Sequence, residues 1–420
     1  MASSLVPLAA QVQRAPKFHG TGVHRTVSAR ETCQRVAPVL SRIGASRLAD
    51  ITGLDHLGIP VYSCIRPSAN RVSVSVTCGK GTSRAHARAG AIMEAIEYYC
   101  AEPGPQALRR QSFENLCRSE NALDPADLIL PGWSPYRPDR LLEWLPSWNL
   151  VTGETCWVPA NAVLHPYLPD DKATMILRAN TNGLASGNVM EEAICHGLAE
   201  LIERDSWSLC WVKVKYGGGD LYPGVNVRAL SGPLRWLIER FREERVRLHV
   251  RDITSELGVP AYYAASFEEL AYGYLAHEGM GAHPDPSIAL ARALTEVAQS
   301  RAADIQGSRE DLAYWRRRAG NGKAAANGWA FTQARRDSSL CTHGVRHSDI
   351  RDDIAWMVGR LACHGLQRIL VVDLTQPRVG VPVVRVIVPG LEYAAIDEYR
   401  VGPRCRHAAE QTRQKAGPRP

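Results

Sequence analysis

Short runs of alternating and helix-spaced apolar residues divide this chain into strands and helices that succeed one another along its length. Residues Arg71 to Thr77 read RVSVSVT, a period of two that predicts a half-exposed strand, broken by Gly79-Lys80-Gly81. From about Ser83 to Cys100 the apolar spacing is that of a helix. Pro103 to Leu150 is irregular and proline-rich, and Glu154 to Val163 reads as a strand. A Gly- and Asn-rich turn at Asn180 then feeds a helix that extends to about Trp211 and closes at Gly217-Gly218-Gly219. Pro233 to Arg245 predicts a basic amphipathic helix, followed by strands at Leu248 to Ile253 and Pro260 to Phe267. The turn HPDP (His283 to Pro286) opens a further helix through ALARALTEVAQSRAADI. Tyr314 to Asp349 is polar and rich in Gly and Arg, the composition of a mobile segment. Asp353 to His364 predicts a helix, Arg368 to Leu374 and Val381 to Val388 predict buried strands, and the chain from Arg404 is a polar tail. Strands alternating with helices predict a mixed α/β or α+β fold.

The segment NTNGLASGNVMEEAICHGLAELIERD, Asn180 to Asp205, departs from a simple amphipathic pattern. At about 100° per residue, Glu192, His196, Glu200 and Glu203 share one narrow sector, while Ile194, Leu198, Leu201 and Ile202 fill much of the rest. Carboxylates on an otherwise apolar helix are costly to bury unless paired, and a metal cation is the simplest partner for several at once. The helix after Gly81 repeats the theme, with Glu94 and Glu97 on a face shared with Gly90. The helix after HPDP adds Glu296, Gln299 and Arg301, with Arg309-Glu310-Asp311 beyond it. One Glu-x-x-Glu pair is ordinarily a solvated face. Two, each wrapped in apolar positions, point to hard oxygen ligands of the kind that hold Mg2+ on nucleotide phosphates. His196 on the same face is more often a core or supporting residue than a ligand. Lys80, between two glycines after a strand, sits where backbone can approach a phosphate, although GKG alone is a weak signal. No G-x-x-x-x-G-K-[ST] occurs, and GNGK at Gly320 to Lys323 does not match it. A nucleotide here would be held by carboxylates and scattered basic residues rather than by a P-loop. H-E-x-x-H, G-x-S-x-G and a post-strand G-x-G-x-x-G are also missing from the sequence, while a Cys-His nucleophilic pair stays open.

Composition narrows the classes further. The 420 residues allow one large fold or two domains, and 45% hydrophobic with 22% charged residues is ordinary for a soluble protein. No apolar run approaches a membrane span, and the amino-terminal MASSLVPLAAQVQRAPKF lacks the basic start of a signal peptide. A net charge of +7 suits a phosphate-bearing or acidic-peptide partner as readily as it suits solubility. Basic and aromatic residues are not interleaved as in nucleic-acid binders. The 11 cysteines form no CxxC pair, which reads as a reduced cytoplasmic protein, and Cys100, Cys195 and Cys210 fit buried apolar positions.

These segments together resemble the YcaO family of ATP-dependent enzymes that modify peptide backbones. The likeness is carried by GKGTSRAHARAGAIMEAIEYYCAE, TNGLASGNVMEEAICHGLAELIERD and HPDPSIALARALTEVAQSRAADIQGSRED, flanked by TGLDHLGIPVYSCIRP (Thr52 to Pro67) and DLTQPRVGVPVVRVIVPGLE (Asp373 to Glu392). It spans residues 18–405 as one catalytic domain, with 1–17 expected to be a disordered amino-terminal segment and 406–420 a polar tail. It implies an α/β fold with internal pseudo-symmetry, in which acidic helices line a central ATP cleft. The family site reads S-x-x-x-E-x-x-E on one helix, here Gly90, Glu94 and Glu97, with glycine in place of the usual serine and one hydroxyl fewer to hold a phosphate or a metal-bound water. A second pattern, an Asn followed by Glu and then E-x-x-E-R, falls on Asn188, Glu192, Glu200, Glu203 and Arg204. A looser third contribution falls on Glu296, Gln299, Arg301, Arg309 and Glu310. The resemblance thus implies Glu94, Glu97, Glu192, Glu200, Glu203 and Glu296 as metal ligands. It implies Lys80, Gly90, Asn188, Arg204, Gln299, Arg301 and Arg309 as further nucleotide contacts, with Glu200, Glu203 and Arg204 essential for turnover.

Family members add a nucleophile to a backbone amide and let ATP, with Mg2+, phosphorylate the resulting oxyanion, because an amide oxygen is otherwise a very poor leaving group. DITGLDHLGIPV and VIVPGLE are most similar to the TfuA-associated and methanogen-type members, which install thioamides from sulfide. The expectation is therefore a thioamide-forming enzyme acting on a ribosomally made peptide or a protein, with a sulfide donor. No leader-binding domain precedes the family-like region, so a TfuA-like or leader-binding partner is expected, and homodimerisation is common in the family. Two alternatives stand beside it. One is an azoline-forming cyclodehydratase, whose relatives often end in PxPxP where this chain ends AGPRP with only Pro418 and Pro420 at that spacing. The other is a scaffold subunit without turnover, favoured by Gly90 alone.

Overall fold

Three sheets, each backed by one long helix, organise the described residues of this computed structural model: 7–18, 24–104, 107–169, 173–217, 222–270, 273–310, 328–331, 334, 336–340 and 344–416. The first sheet is antiparallel, with β1 (Arg47–Asp50), β2 (Val61–Ile65) and β3 (Val76–Lys80), and α3 (Arg84–Ala101) lies across it. Two short helices, α1 (Ala29–Val36) and α2 (Val39–Arg42), precede it. A six-stranded sheet joins β4 (Arg109–Ser112), β5 (Leu141–Asn149), β6 (Thr155–Pro159), β7 (Leu184–Ser186), β13 (Leu370–Asp373) and β14 (Val383–Ile387), and α5 (Met190–Gly217) packs on β14 and β7. The short α4 (Phe113–Leu116) follows β4. In the third sheet, β9 (Arg247–Asp252), β10 (Ala261–Leu270) and β11 (Gly273–Ala282) are antiparallel neighbours, extended by β8 (Gly224–Val225) and β12 (Asp337–Ser338). It carries α7 (Pro286–Gln306), with α6 (Gly232–Glu243) beside it. A hairpin followed by a helix laid on its second strand therefore occurs twice, as β2-β3-α3 and as β10-β11-α7. The fold is mixed α/β, as expected.

Sequence sets the ends of these helices. Ser83 caps α3 by accepting from the His86 N–H at 3.3 Å, and Pro103 follows the helix. Asp285 caps α7 with Pro286 in the first turn, and Gly307 ends it at φ 69°. Ile92 and Ile96 of α3 are almost fully buried, a burial that contributes on the order of 2 kcal/mol each.

Glycines explain both the tight helix-on-sheet packing and the main departures from the sequence reading. A Cβ on Gly79 would fall on the Ala87 carbonyl oxygen and the Ala91 nitrogen of α3. Gly279 and Gly281 stand in the same relation to the α7 backbone at Ala293 and Ala289. So Gly79 and Lys80 lie inside β3 and do not break it. The strand expected at Arg71 to Thr77 begins only at Val76, although Ser73 and Val74 before it are already buried. β11, with three glycines and little β-branching, had no strand signature at all. The stretch expected to be irregular between Pro103 and Leu150 holds β4, α4 and the nine-residue β5. The helix expected to end near Trp211 continues to Gly217.

The amino-terminal segment also differs from expectation. Val12 and Ala15 are buried, the Ala9 N–H donates to Leu150 at 3.0 Å, and Lys17 pairs with Asp353 at 2.5 Å. From residue 7 onward the segment expected to be disordered is anchored on the core next to α8 (Ile350–Ala362) through Val12 and Ala15. The polar tail forms α9 (Pro403–Ala416), which sets Cys405, Ala408 and Ala409 against Leu209 and Val212 of α5. Gly218-Gly219, Asp311, Gly320 to Lys323, most of Tyr314 to Asp349, Pro418 and Pro420 lie outside the described residues. No described helix is long and apolar enough to cross a membrane.

Candidate active site

Helices α3, α5 and α7 turn their acidic positions toward one another. A cavity of about 270 Å³ opens between them, walled by Lys80, Gly90, Glu97, Asn188, Glu192, His196 and Arg292 among others. Glu203 and Glu296 adjoin this wall through its basic residues. The Lys80 ammonium pairs with Glu296, and the Arg292 guanidinium reaches His196 Nε2 at 3.1 Å and lies 4.0 Å from Glu203. Arg204 lies 3.9 Å from the other Glu203 oxygen, with its guanidinium carbon 5.6 Å from the centre of the Trp207 ring.

The acids fall into two electrostatic groups. Glu97 accepts from the Ser186 N–H at 2.8 Å and its hydroxyl at 2.7 Å, yet burial pushes its carboxyl up to about 8, with Glu94 adding repulsion. Burial likewise raises Glu200 to about 7, against the pull of Arg204. Glu203 is raised by burial and by Glu296. The second group is held ionised although burial opposes it. Arg25 at 3.6 Å and hydrogen bonds from Thr26 and Asn188 keep Glu192 below the ordinary carboxylate range. Lys80 and Arg204 do the same for Glu296. His196 is held neutral by burial and the charge of Arg292. A carboxylate cluster that must protonate in part to tolerate its own charge is chemically suited to a hard divalent cation.

The remaining expected residues are placed as follows. Glu94 is half-buried and accepts from the Cys78 N–H at 2.8 Å. Asn188 accepts from the Thr32 hydroxyl at 3.0 Å and donates to Glu192 at 2.9 Å, so four donors from Thr26 and Asn188 already saturate Glu192. Gly90 backs onto Gly79, where an added Cβ would stand 3.3 Å from the Gly79 Cα. The third helix separates its candidates. Arg301, read as a nucleotide contact, is fully buried in a bidentate pair with Asp55, both bonds at 2.9 Å, plus Glu268 at 2.7 Å. Its partners come from other parts of the chain, so helical position alone could not show that it turns away from the cavity. Gln299 and Arg309 do not line the cavity, and Glu310 is exposed and accepts from Ser75. Arg25, Thr26 and Arg292 were missed in the sequence. Only Arg292 left a signal, four residues before Glu296 on one helix face.

At the cavity edge His24, His283 and Asp353 offer ligand atoms within 4.8 Å of one another. The Lys17 ammonium already fills the cation position, 2.9 Å from His24 Nδ1 and 2.5 Å from Asp353. His283 accepts from the Asp285 N–H on Nδ1 and is neutral, so its proton sits on Nε2, the nitrogen a metal would need. The group is an ion-paired network.

Comparison with known proteins agrees with this geometry. Residues 78–392 match the family described as YcaO cyclodehydratase, ATP- and Mg2+-binding. The chain is 43% identical over 382 residues to an uncharacterized protein of Methanothermobacter thermautotrophicus, covering 90% of this chain and 97% of that one. It is 31% identical over 415 residues to an uncharacterized protein from the tfuA 3′ region of Rhizobium leguminosarum bv. trifolii, covering 94% and 95%. Among solved structures, YcaO from Methanopyrus kandleri bound with AMPPCP and Mg2+ matches with a TM-score of 0.74 at 29% identity, covering 92% of this chain and 98% of that one.

Proposed function

The chain belongs to the YcaO cyclodehydratase family, whose members bind ATP and Mg2+, and on that premise we propose that it activates a peptide backbone amide by O-phosphorylation and installs a thioamide in a ribosomally made peptide. The observation that carries this reading is the chain of mutual repulsion that links Glu97, Glu200, Glu203 and Glu296 across three helices, with Lys80, Arg204 and Arg292 among them. When bound, MgATP supplies the phosphoryl group that turns the amide oxygen into a leaving group. Glu94, Glu97, Glu200, Glu203 and Glu296 are the residues that would hold the metal. Glu192, saturated by Thr26 and Asn188, orders the segment that carries Arg25 and keeps that guanidinium at the cavity. Arg25, Lys80, Arg204 and Arg292 offer the positive charge a triphosphate requires. The nitrogen of neutral His196 that accepts from Arg292 orients that guanidinium.

A TfuA-like partner is supported by the relative from the tfuA 3′ region, and sulfide as nucleophile rests on the likeness of the DITGLDHLGIPV and VIVPGLE segments to the TfuA-associated members. The second reading, azoline formation from a substrate Cys, Ser or Thr, is favoured by the family's description as cyclodehydratases. One experiment separates them. The protein is incubated with precursor peptide, ATP, Mg2+, sulfide and the TfuA-like partner, and the product is weighed by mass spectrometry. Exchange of one oxygen for sulfur is expected, and loss of water alone would replace the thioamide reading with azoline formation.

A further inference from the structure

A second cavity, of about 60 Å³, lies beside α5 and is lined by Asn182, Arg385, Tyr393 and Arg400 with apolar Leu128 and Leu391. Arg385 is 2% exposed. Its Nε donates to the Ala162 carbonyl at 3.1 Å and its Nη2 to the Asn180 carbonyl at 2.8 Å, but its buried Nη1 has no partner. Arg400 donates to the carbonyls of Ile129 at 3.0 Å and Leu128 at 2.8 Å. Among the described residues neither guanidinium has a carboxylate within ion-pair distance, whereas buried Arg66 and Arg301 pair with Glu102 and with Asp55 and Glu268. The Asn182 side-chain oxygen is also buried without a donor, and turning that carboxamide over would present its NH2 to the same space.

Two guanidiniums held this way are costly, because burial removes their water and carbonyl dipoles return only part of it. Burial accordingly lowers Arg385 to about 10, with Glu200 the strongest opposing influence. The space suits a small planar group of two or three heavy atoms, since a water occupies roughly 30 Å³, and the leucines suit a carbon stem behind it. Resting on the peptide-modifying reading above, we propose that the Arg385–Arg400 pocket binds a carboxylate of the substrate polypeptide, from an acidic side chain or a carboxyl terminus. A free guanidinium edge, a second cation and an apolar wall are what a carboxylate on a carbon stem requires. The site would make the enzyme choose its modification point by a neighbouring acid.

The test uses the full-length protein and ligand-observed NMR titration of propionate, propionamide and inorganic phosphate, with Mg2+–AMPPCP affinity measured in parallel. Propionate should bind in the millimolar range and propionamide and phosphate at least about tenfold more weakly. Arg385→Gln and Arg400→Gln should each weaken propionate at least about fivefold and leave propionamide unchanged, and Arg400→Gln should keep nucleotide affinity. Acetylglycinate and the α-amide of acetylaspartate then separate a carboxyl terminus from an acidic side chain. Equal binding of propionate and propionamide, no binding of propionate, tighter binding of phosphate, or an unaltered Arg400→Gln would each overturn the proposal. Should Arg385→Gln fail to fold, Arg400→Gln decides alone. Failure of the wild type to bind Mg2+–AMPPCP would instead sink the nucleotide reading.

Discussion

Binding of Mg2+ and nucleotide should expel protons, and the number can be worked from the acid cluster. Burial raises Glu97 to about 8 and Glu200 to about 7. At pH 7 Glu97 is then about nine-tenths protonated and Glu200 about half, so a cation that takes both as ligands displaces about 1.4 protons. At pH 9 the same sum is about 0.1. The competition weakens binding at pH 7 by about 20-fold relative to pH 9, equivalent to about 1.8 kcal/mol. The sign follows from the direction of both shifts. A carboxyl whose folded-state value is raised stabilises the metal-free fold most below its unfolded value, near 4.5, and loses that contribution as pH rises to about 8. Metal-free protein should therefore lose stability over the pH range in which it gains affinity for the cation. Titration calorimetry with Mg2+–AMPPCP in buffers of different ionisation enthalpy reads the proton count directly, after subtraction of the nucleotide's own release without protein. Glu97→Gln should cut release at pH 7 from about 1.4 to about 0.5. A release near zero, or an affinity flat between pH 7 and 9, would refute the placement of these two acids on the metal.

Three further outcomes are expected. Glu203→Gln should lower turnover by at least about 10³-fold while leaving the circular dichroism spectrum intact and the Tm unchanged or higher, because it removes a charge repelled by Glu296 and keeps an oxygen for the Ala282 N–H. Unfolding of that variant would mark the acid as structural. Gly79→Ala should destabilise the protein by about 3 kcal/mol in urea titration, since the added methyl meets rigid backbone of α3 and nothing there can turn aside; a cost within about 0.5 kcal/mol would disprove the close approach. Asp55→Asn should cost about 3 kcal/mol by leaving buried Arg301 with Glu268 as its one carboxylate, yet leave Mg2+–AMPPCP affinity within about twofold. A large loss of nucleotide affinity there would return Arg301 to the active site.

The acids were legible because each set is local. Glu94 with Glu97, and Glu192, Glu200 and Glu203, recur at helical spacing within single elements, and an apolar background makes them conspicuous. The strands at Val383 and Leu370 were legible for a similar reason, as short β-branched runs between turns. Illegible features depend on approach in space. A glycine in a strand and a glycine in a turn look alike in sequence, so Gly79 read as a break and β11 was invisible, although both mark where a helix backbone presses on a sheet. Residues 7–17 read as a disordered segment because the groups that Val12 and Ala15 pack against, around Leu150 and α8, come far later in the chain.

The same distinction governs the cluster's excess negative charge. Glu97 and Glu200 meet it by raised proton affinity, whereas Glu192 and Glu296 meet it by pairing with Arg25 and Lys80. Nothing in the spacing of the four distinguishes them, since the partners come from distant segments: Lys80 is 216 residues from Glu296. The consequence is chemical. Protonated acids answer a cation by releasing protons. On the proposed reading, Glu296 would answer by releasing Lys80, whose ammonium would then be free to turn to an anionic ligand entering with the metal. A Lys80→Met substitution should therefore impair nucleotide more than metal binding, because it removes a phosphate partner while also removing a competitor for the carboxylate. Fluorescence titration with Mg2+ alone and with Mg2+–AMPPCP would show the split, and an equal loss of both affinities would mean that Lys80 only holds Glu296 in place.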